Sequence, residues 1–193
     1  GRGVELAFVS DGWRFQTRYE PELILSVVEQ MDLVWNERGV LVFRGEGSAA
    51  LPDPAFERGR QVAFDGELAL TGFALSATNP APGDDLEVTL HWQALPGAGP
   101  AYTALLHLVA ADGSGLAGVD EPVMQALYQP DLWPRDRSLP DRHRFRIPAE
   151  VPPGRYRLDL GLYRPGEVES PLLAAGEDRV ALAAIDVGPA APA

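Results

Sequence analysis

Three histidines, two pairs of adjacent carboxylates, a loop tryptophan and two alternating rows of arginine are the residues here that could do chemistry. A zinc or iron site needs two or three histidines converging with a carboxylate. His91 falls on the polar side of its segment, His107 is followed by apolar residues, and His143 shares a face with Phe145 and Ile147. The pair His107 and Asp120 reads best as a hydrogen-bonded histidine tying two strands together. Ser114 and Asp112 lie near it in sequence, but no nucleophile elbow surrounds them, so a hydrolase triad has little support. Asp84-Asp85 and Asp120-Glu121 could bind calcium with carbonyl oxygens, or act as a glycosidase pair. Adjacent residues in a turn usually point apart, which disfavours both. No catalytic residue, metal ligand or cofactor is expected.

Gly45-Glu46-Gly47-Ser48-Ala49-Ala50 fits a dinucleotide fingerprint, which requires a helix whose amides meet the pyrophosphate. Pro52 and Pro54 obstruct that helix, so the segment reads as a linker. The stretch from Val123 to Pro140 is the longest irregular connection, and connections beyond about 12–15 residues are uncommon unless functional or disordered. Trp133 lies in it, with Tyr128, Asp131, Arg135 and Asp136 nearby, and Tyr163 lies beside another loop. Exposed aromatic rings stack on sugars while Asp and Arg bond the hydroxyls, so Trp133, Tyr128, Tyr163, Asp131 and Arg135 form a candidate glycan site. The competing reading has Trp133-Pro134 plugging one end of a buried core. Arg142, Arg144 and Arg146 alternate along one segment, and Arg155 and Arg157 along the next. Were those strands paired, five guanidiniums would share a patch suited to the phosphate of a lipid-linked sugar or membrane headgroup. The plainer reading is a solvated face balanced by Asp141, Asp159 and Glu150.

The elements that must position these residues are mostly strands. Gly (20) and Pro (18) argue against a helical bundle, and 46% hydrophobic with 23% charged residues is an ordinary globular balance. A net charge of −12 disfavours nucleic acid and anionic membrane as partners. All 16 basic residues are arginine and there is no cysteine, which excludes Schiff-base lysine chemistry, disulfides and thiolate metal sites. Residues 1–45 read as a strand at Val4–Val9, a helix over 21–31 and a hairpin of Leu33–Trp35 with Val40–Arg44. Residues 46–55 read as a linker, 56–188 as an antiparallel β-sandwich of immunoglobulin-like or jelly-roll kind, and 189–193 as a tail.

Eight strands are expected in that sandwich: Gln61–Phe64, Glu67–Ser76, Leu86–Ala94, Tyr102–Ala110, Leu116–Asp120, Arg142–Ile147, Arg155–Tyr163 and Val180–Val187. Turn signals such as Asp65-Gly66 and Asp112-Gly113 separate them. Leu86, Val88, Leu90 and Trp92 take one face of their strand, as do Tyr156, Leu158, Leu160 and Leu162 of theirs. The chain begins without methionine or a signal peptide and is read as a portion of something longer.

From about Phe64 to Tyr163 the chain resembles the C-terminal extracytoplasmic β-sandwich of bacterial family-39-like membrane glycosyltransferases. Those proteins are related to dolichyl-phosphate-mannose–protein mannosyltransferases. The matching stretches are Leu70-Thr-Gly-Phe73, Pro82-Gly-Asp84 with Leu86–Trp92, and His107-Leu108 followed by Asp112-Gly113. They continue through Asp120, Pro122, Trp133-Pro134, Asp141, Pro152–Tyr156 and Gly161–Tyr163. The resemblance implies a non-catalytic accessory domain outside the cytoplasm, tethered through a parent membrane domain and contacting a glycan or lipid-linked sugar. The transferase's catalytic carboxylate would lie in the membrane part, which nothing here matches. An autonomous carbohydrate-binding module is the alternative, and a metal-assisted hydrolase a more distant one.

Overall fold

Alternation of large apolar with polar residues dictates strands that bury one face, and bursts of Gly, Pro and Asp dictate where each must reverse. The computed structural model describes residues 4–9, 27, 32–37, 40–45 and 61–189. The first three strands, β1 (Val4–Val9), β2 (Asp32–Glu37) and β3 (Val40–Gly45), form an antiparallel sheet in the order β1-β3-β2. Of the helix expected over 21–31 only Val27 is described; it is helical and buried. The rest of that helix, the linker over 46–55 with its fingerprint-like glycines, and the tail beyond Pro189 lie outside the described residues.

All eight strands expected after residue 60 are present. They are β4 (Val62–Phe64), β5 (Leu68–Leu75), β6 (Asp85–Ala94), β7 (Thr103–Val109), β8 (Gly115–Pro122), β9 (Leu139–Arg146), β10 (Gly154–Tyr163) and β11 (Val180–Val187). Two four-stranded antiparallel sheets result, β4-β5-β6-β9 and β11-β10-β7-β8. The chain is mainly β, and this part is the expected β-sandwich. Asp65, Gly66 and Glu67 join β4 to β5, with φ of 45° and 72° at the first two. The Glu67 amide donates to the Phe64 carbonyl at 2.9 Å, and positive φ at the two residues between suits the twist of the flanking strands. At the β7–β8 tip the Asp112 carboxylate accepts from the Ser114 hydroxyl and amide, which holds it below the usual carboxylate range.

The core sits between the sheets. Leu86, Val88, Leu90 and Trp92 from the first sheet and Leu106, Leu108, Leu158, Leu160 and Leu162 from the second have no exposed surface. Phe64 meets Trp92 edge to face, with centroids 5.8 Å apart. Each such side chain contributes about 1.5–3 kcal/mol by leaving water.

Two expectations about the arginine rows are corrected. β9 pairs with β6 in the first sheet, whereas β10 lies between β7 and β11 in the second. Arg142, Arg144 and Arg146 therefore cannot share a patch with Arg155 and Arg157. The cause is the connection over 147–153, whose Pro148, Pro152 and Pro153 suit a crossover between sheets and not a tight hairpin. Nor do Asp141 and Asp159 balance a solvated face, because both are buried. Further along β10, Asp159 and Gly161 are buried although they turn away from the core. A β-carbon on Gly161 would lie 3.3 Å from the Asp178 carbonyl and 3.7 Å from the Arg179 side chain, which cross it.

Gly118 of β8 has its β-position occupied by the Leu106 carbonyl and the His107 ring of the neighbouring strand. Gly118→Ala should therefore cost about 1–3 kcal/mol through forced strand displacement. Urea unfolding measures this, and an unchanged midpoint would contradict the close approach of the His107 ring to β8.

Candidate functional site

Three polar constellations stand out: one buried in the sandwich except at its Glu121 rim, one partly exposed around Tyr102, and one open on the outer face of the second sheet. The buried one forms where the edge strands β8 and β9 of the opposing sheets meet. On β9 the exposed residues Arg144 and Arg146 alternate with buried Asp141, His143 and Phe145. The His143 Nε2–H donates to Asp141 Oδ2 at 2.8 Å, and its Nδ1–H donates to Glu121 Oε2 of β8 at 3.0 Å. Asp141 also accepts from the Trp92 indole at 3.1 Å and from the Met124 amide at 3.0 Å. Burial pulls the His143 pKa down, but the charges and hydrogen bonds of Asp141 and Glu121 outweigh it and push it up to about 10. His143 is thus an imidazolium linking the two sheets, with every polar atom of its ring engaged.

The Met124 amide belongs to a short 3-10 turn, Val123–Ala126, in which Met124, Gln125 and Ala126 have φ of 52°, 51° and 58°. Left-handed backbone costs a non-glycine residue about 1–2 kcal/mol. The bond to Asp141 and a second, from the Leu127 amide to the Met124 carbonyl at 2.9 Å, hold the turn in place. A partly exposed network joins Tyr102, Glu67 and Arg164. The Tyr102 hydroxyl donates to Glu67 at 2.6 Å, and its own burial foremost pushes the phenol up to about 12.

The open constellation lies on the outer face of the second sheet. Here a hollow of about 590 Å³ is floored by Val109 and by alanines of β11, and walled by Arg155 and Arg157. Arg157 is gripped by Asp159, which accepts from its Nε at 2.6 Å and from Nη2 at 2.7 Å. That pairing raises the guanidinium's hold on its proton further. Arg155 faces Asp186 of β11 at 4.0 Å. One register step along the sheet, His107 lies opposite Asp159. It donates from Nε2 to Asp120 Oδ1 at 3.1 Å, the strand-to-strand tie read from the sequence.

The residues expected to stack on sugars are placed differently. Trp133 and Tyr128 are 3% and 4% exposed, so neither ring offers a face to solvent. The Trp133 indole donates to the Tyr128 carbonyl and the Tyr128 hydroxyl to the Leu132 carbonyl, both at 3.0 Å. They fill the end of the sandwich, as the plug reading held. Asp131 is exposed, whereas the Arg135 guanidinium donates to the Leu95 and Asp131 carbonyls. Tyr163 is half-buried at the far end of β10 and is not brought to the others. Asp84 accepts from the Ala81 amide inside its own turn, and among the described residues no three acidic or histidine groups form a metal cluster. Of the β9 row, Arg144 pairs with Glu87 at 2.7 Å.

Sequence reasoning missed the Asp141–His143–Glu121 link, although one signal for it was present. If the alternating arginines of β9 face water, the Asp and His between them must face the core. No protein-family profile matches the chain, and no curated protein matches it in sequence. Among solved structures, the crystal structure of the C-terminal domain of Wzt is similar over 70% of this chain and 81% of that one, at 13% identity and a TM-score of 0.45. A likeness at that level carries no argument about what either chain binds, and the link to family-39-like glycosyltransferases gains no support from it.

The charge on His143 makes stability depend on pH in a defined window. In the unfolded chain its imidazole titrates near ~6.5, so from there up to about 10 the folded state holds the extra proton. The contribution is therefore complete below that lower value, and it falls by about 1.4 kcal/mol per pH unit as pH rises. It is gone above about 10. No lysine or cysteine titrates in this window to obscure it. Unfolding curves at successive pH values should show the slope in the native chain and lose it in His143→Asn. Equal slopes would contradict the imidazolium.

Proposed function

We propose that this chain is a non-catalytic accessory domain that contacts glycan outside the cytoplasm, tethered through a parent membrane protein of the glycosyltransferase type. The observation that carries the reading is the hollow on the second sheet, an apolar floor beside one guanidinium held by a carboxylate and a second that faces one. Sugar rings present C–H faces to apolar surface and hydroxyls to planar charged groups, and a rigid sheet holds both in fixed register. The motif order from Leu70 to Tyr163 supports the accessory role and the extracytoplasmic placement. The non-catalytic part is supported by the burial of the His143–Asp141 pair, whose partner Glu121 alone reaches the surface. The His143 and Asp141 side chains are 0% and 1% exposed, so no substrate reaches them.

Titration of the full chain with soluble oligosaccharides by calorimetry tests this. Binding should weaken about tenfold in Arg157→Ala, the loss expected when one charged hydrogen-bond donor is removed from the ligand. Trp133→Ala should instead destabilise the fold by about 3–5 kcal/mol, as a buried aromatic does. A Trp133→Ala variant that stays folded and alone loses binding would return the site to the 123–138 connection. Failure of every oligosaccharide to bind would sink the glycan reading.

A further inference from the structure

The charges around the second-sheet hollow decide which glycans suit it, an inference that rests on the glycan reading above. Both arginines of its wall are balanced. Arg157 has its Nε and Nη2 committed to Asp159, a residue only 3% exposed, which orients the guanidinium as a fixed donor. Arg155 and Asp186 stand side by side at 4.0 Å with 76% and 65% of their side chains exposed. That separation is too long for a tight ion pair and leaves a donor and an acceptor open next to each other. A sugar hydroxyl is both acceptor and donor, so neighbouring hydroxyls can take a hydrogen bond from Arg155 and give one to Asp186.

An anionic sugar meets a different field. Its carboxylate would approach one guanidinium already paired with Asp159 and a second beside the Asp186 carboxylate, on a chain of net charge −12. A like charge about 4 Å away costs about 1 kcal/mol even in water, and the long-range field adds to it. The floor of Val109, Ala181, Ala183 and Ala184 offers apolar surface for ring C–H groups and no compensating charge.

We infer that the outer face of the second sheet takes neutral glycans through vicinal hydroxyls and discriminates against acidic ones. The test is amide chemical-shift titration of the labelled chain with a neutral mannose or glucose oligosaccharide and with an oligogalacturonate of equal length. The neutral sugar should shift residues 109, 155–157 and 181–184, with an affinity changing less than about twofold between low and high salt, since no net charge is neutralised. The galacturonate should bind at least about tenfold more weakly, and Asp186→Arg, a change on an exposed side chain, should narrow that gap by about tenfold. Three results would overturn the selectivity while leaving a glycan-contacting domain intact. They are tighter binding of the galacturonate, a steep salt dependence for the neutral sugar, and shifts from it confined to other surfaces. Loss of all binding would instead remove the glycan reading on which this inference stands.

Discussion

Burial of two opposed apolar stripes is the constraint to which every other feature of the sandwich answers. The Leu86–Trp92 stripe of β6 and the Leu158–Leu162 stripe of β10 are both without exposed surface, and each needs the other sheet to stay so. Once those stripes face each other, side-chain alternation assigns every other residue of the strands a side. Edge strands β8 and β9 are brought together at one margin of the sandwich, where Glu121 and His143 meet. A register slip of one residue would send Asp141 and His143 to water and the arginines beside them into the core.

A buried charge at that margin does something the apolar core cannot. Hydrophobic contact is non-directional, whereas the His143 imidazolium accepts only one arrangement, with a carboxylate at each ring nitrogen. Its desolvation is offset by Asp141 and Glu121, and Asp141 in turn orients the Trp92 indole and holds the left-handed turn at Met124. One ionised triad thus ties together β6, β8, β9 and the entry to the longest connection. Such a network adds less to stability than the same volume of well-packed leucine would, and its removal piece by piece is costly. Its contribution here is to direction and register.

The outer face of the second sheet shows the opposite use of the same chemistry. Arg157–Asp159 and Arg155–Asp186 are pairs at an exposed surface, worth little to stability. Asp159 is 3% exposed, and a carboxylate so covered is a firm holder of the arginine above it. Polar groups fixed by a covered partner and set beside an apolar floor give a surface whose hydrogen-bonding directions exist before any ligand arrives.

Local pattern determined the strands. Period-two alternation and the Asp-Gly and Pro-Gly turn signals located all eight strands of the sandwich to within a few residues, because those signals depend only on near neighbours in the chain. The His107–Asp120 pair was legible because both residues fall in the stretches that carry the family resemblance, and the short hairpin joining β7 to β8 sets the register that lets them meet. Tertiary structure alone decided which strands share a sheet. It separated the arginines of β9 from those of β10, closed Trp133 and Tyr128 into the end of the sandwich, and joined Glu121 to His143 across 22 positions of sequence. Sheet assignment is set by crossover connections and the summed burial of distant stripes. Those are properties of the whole chain, and no window of sequence contains them.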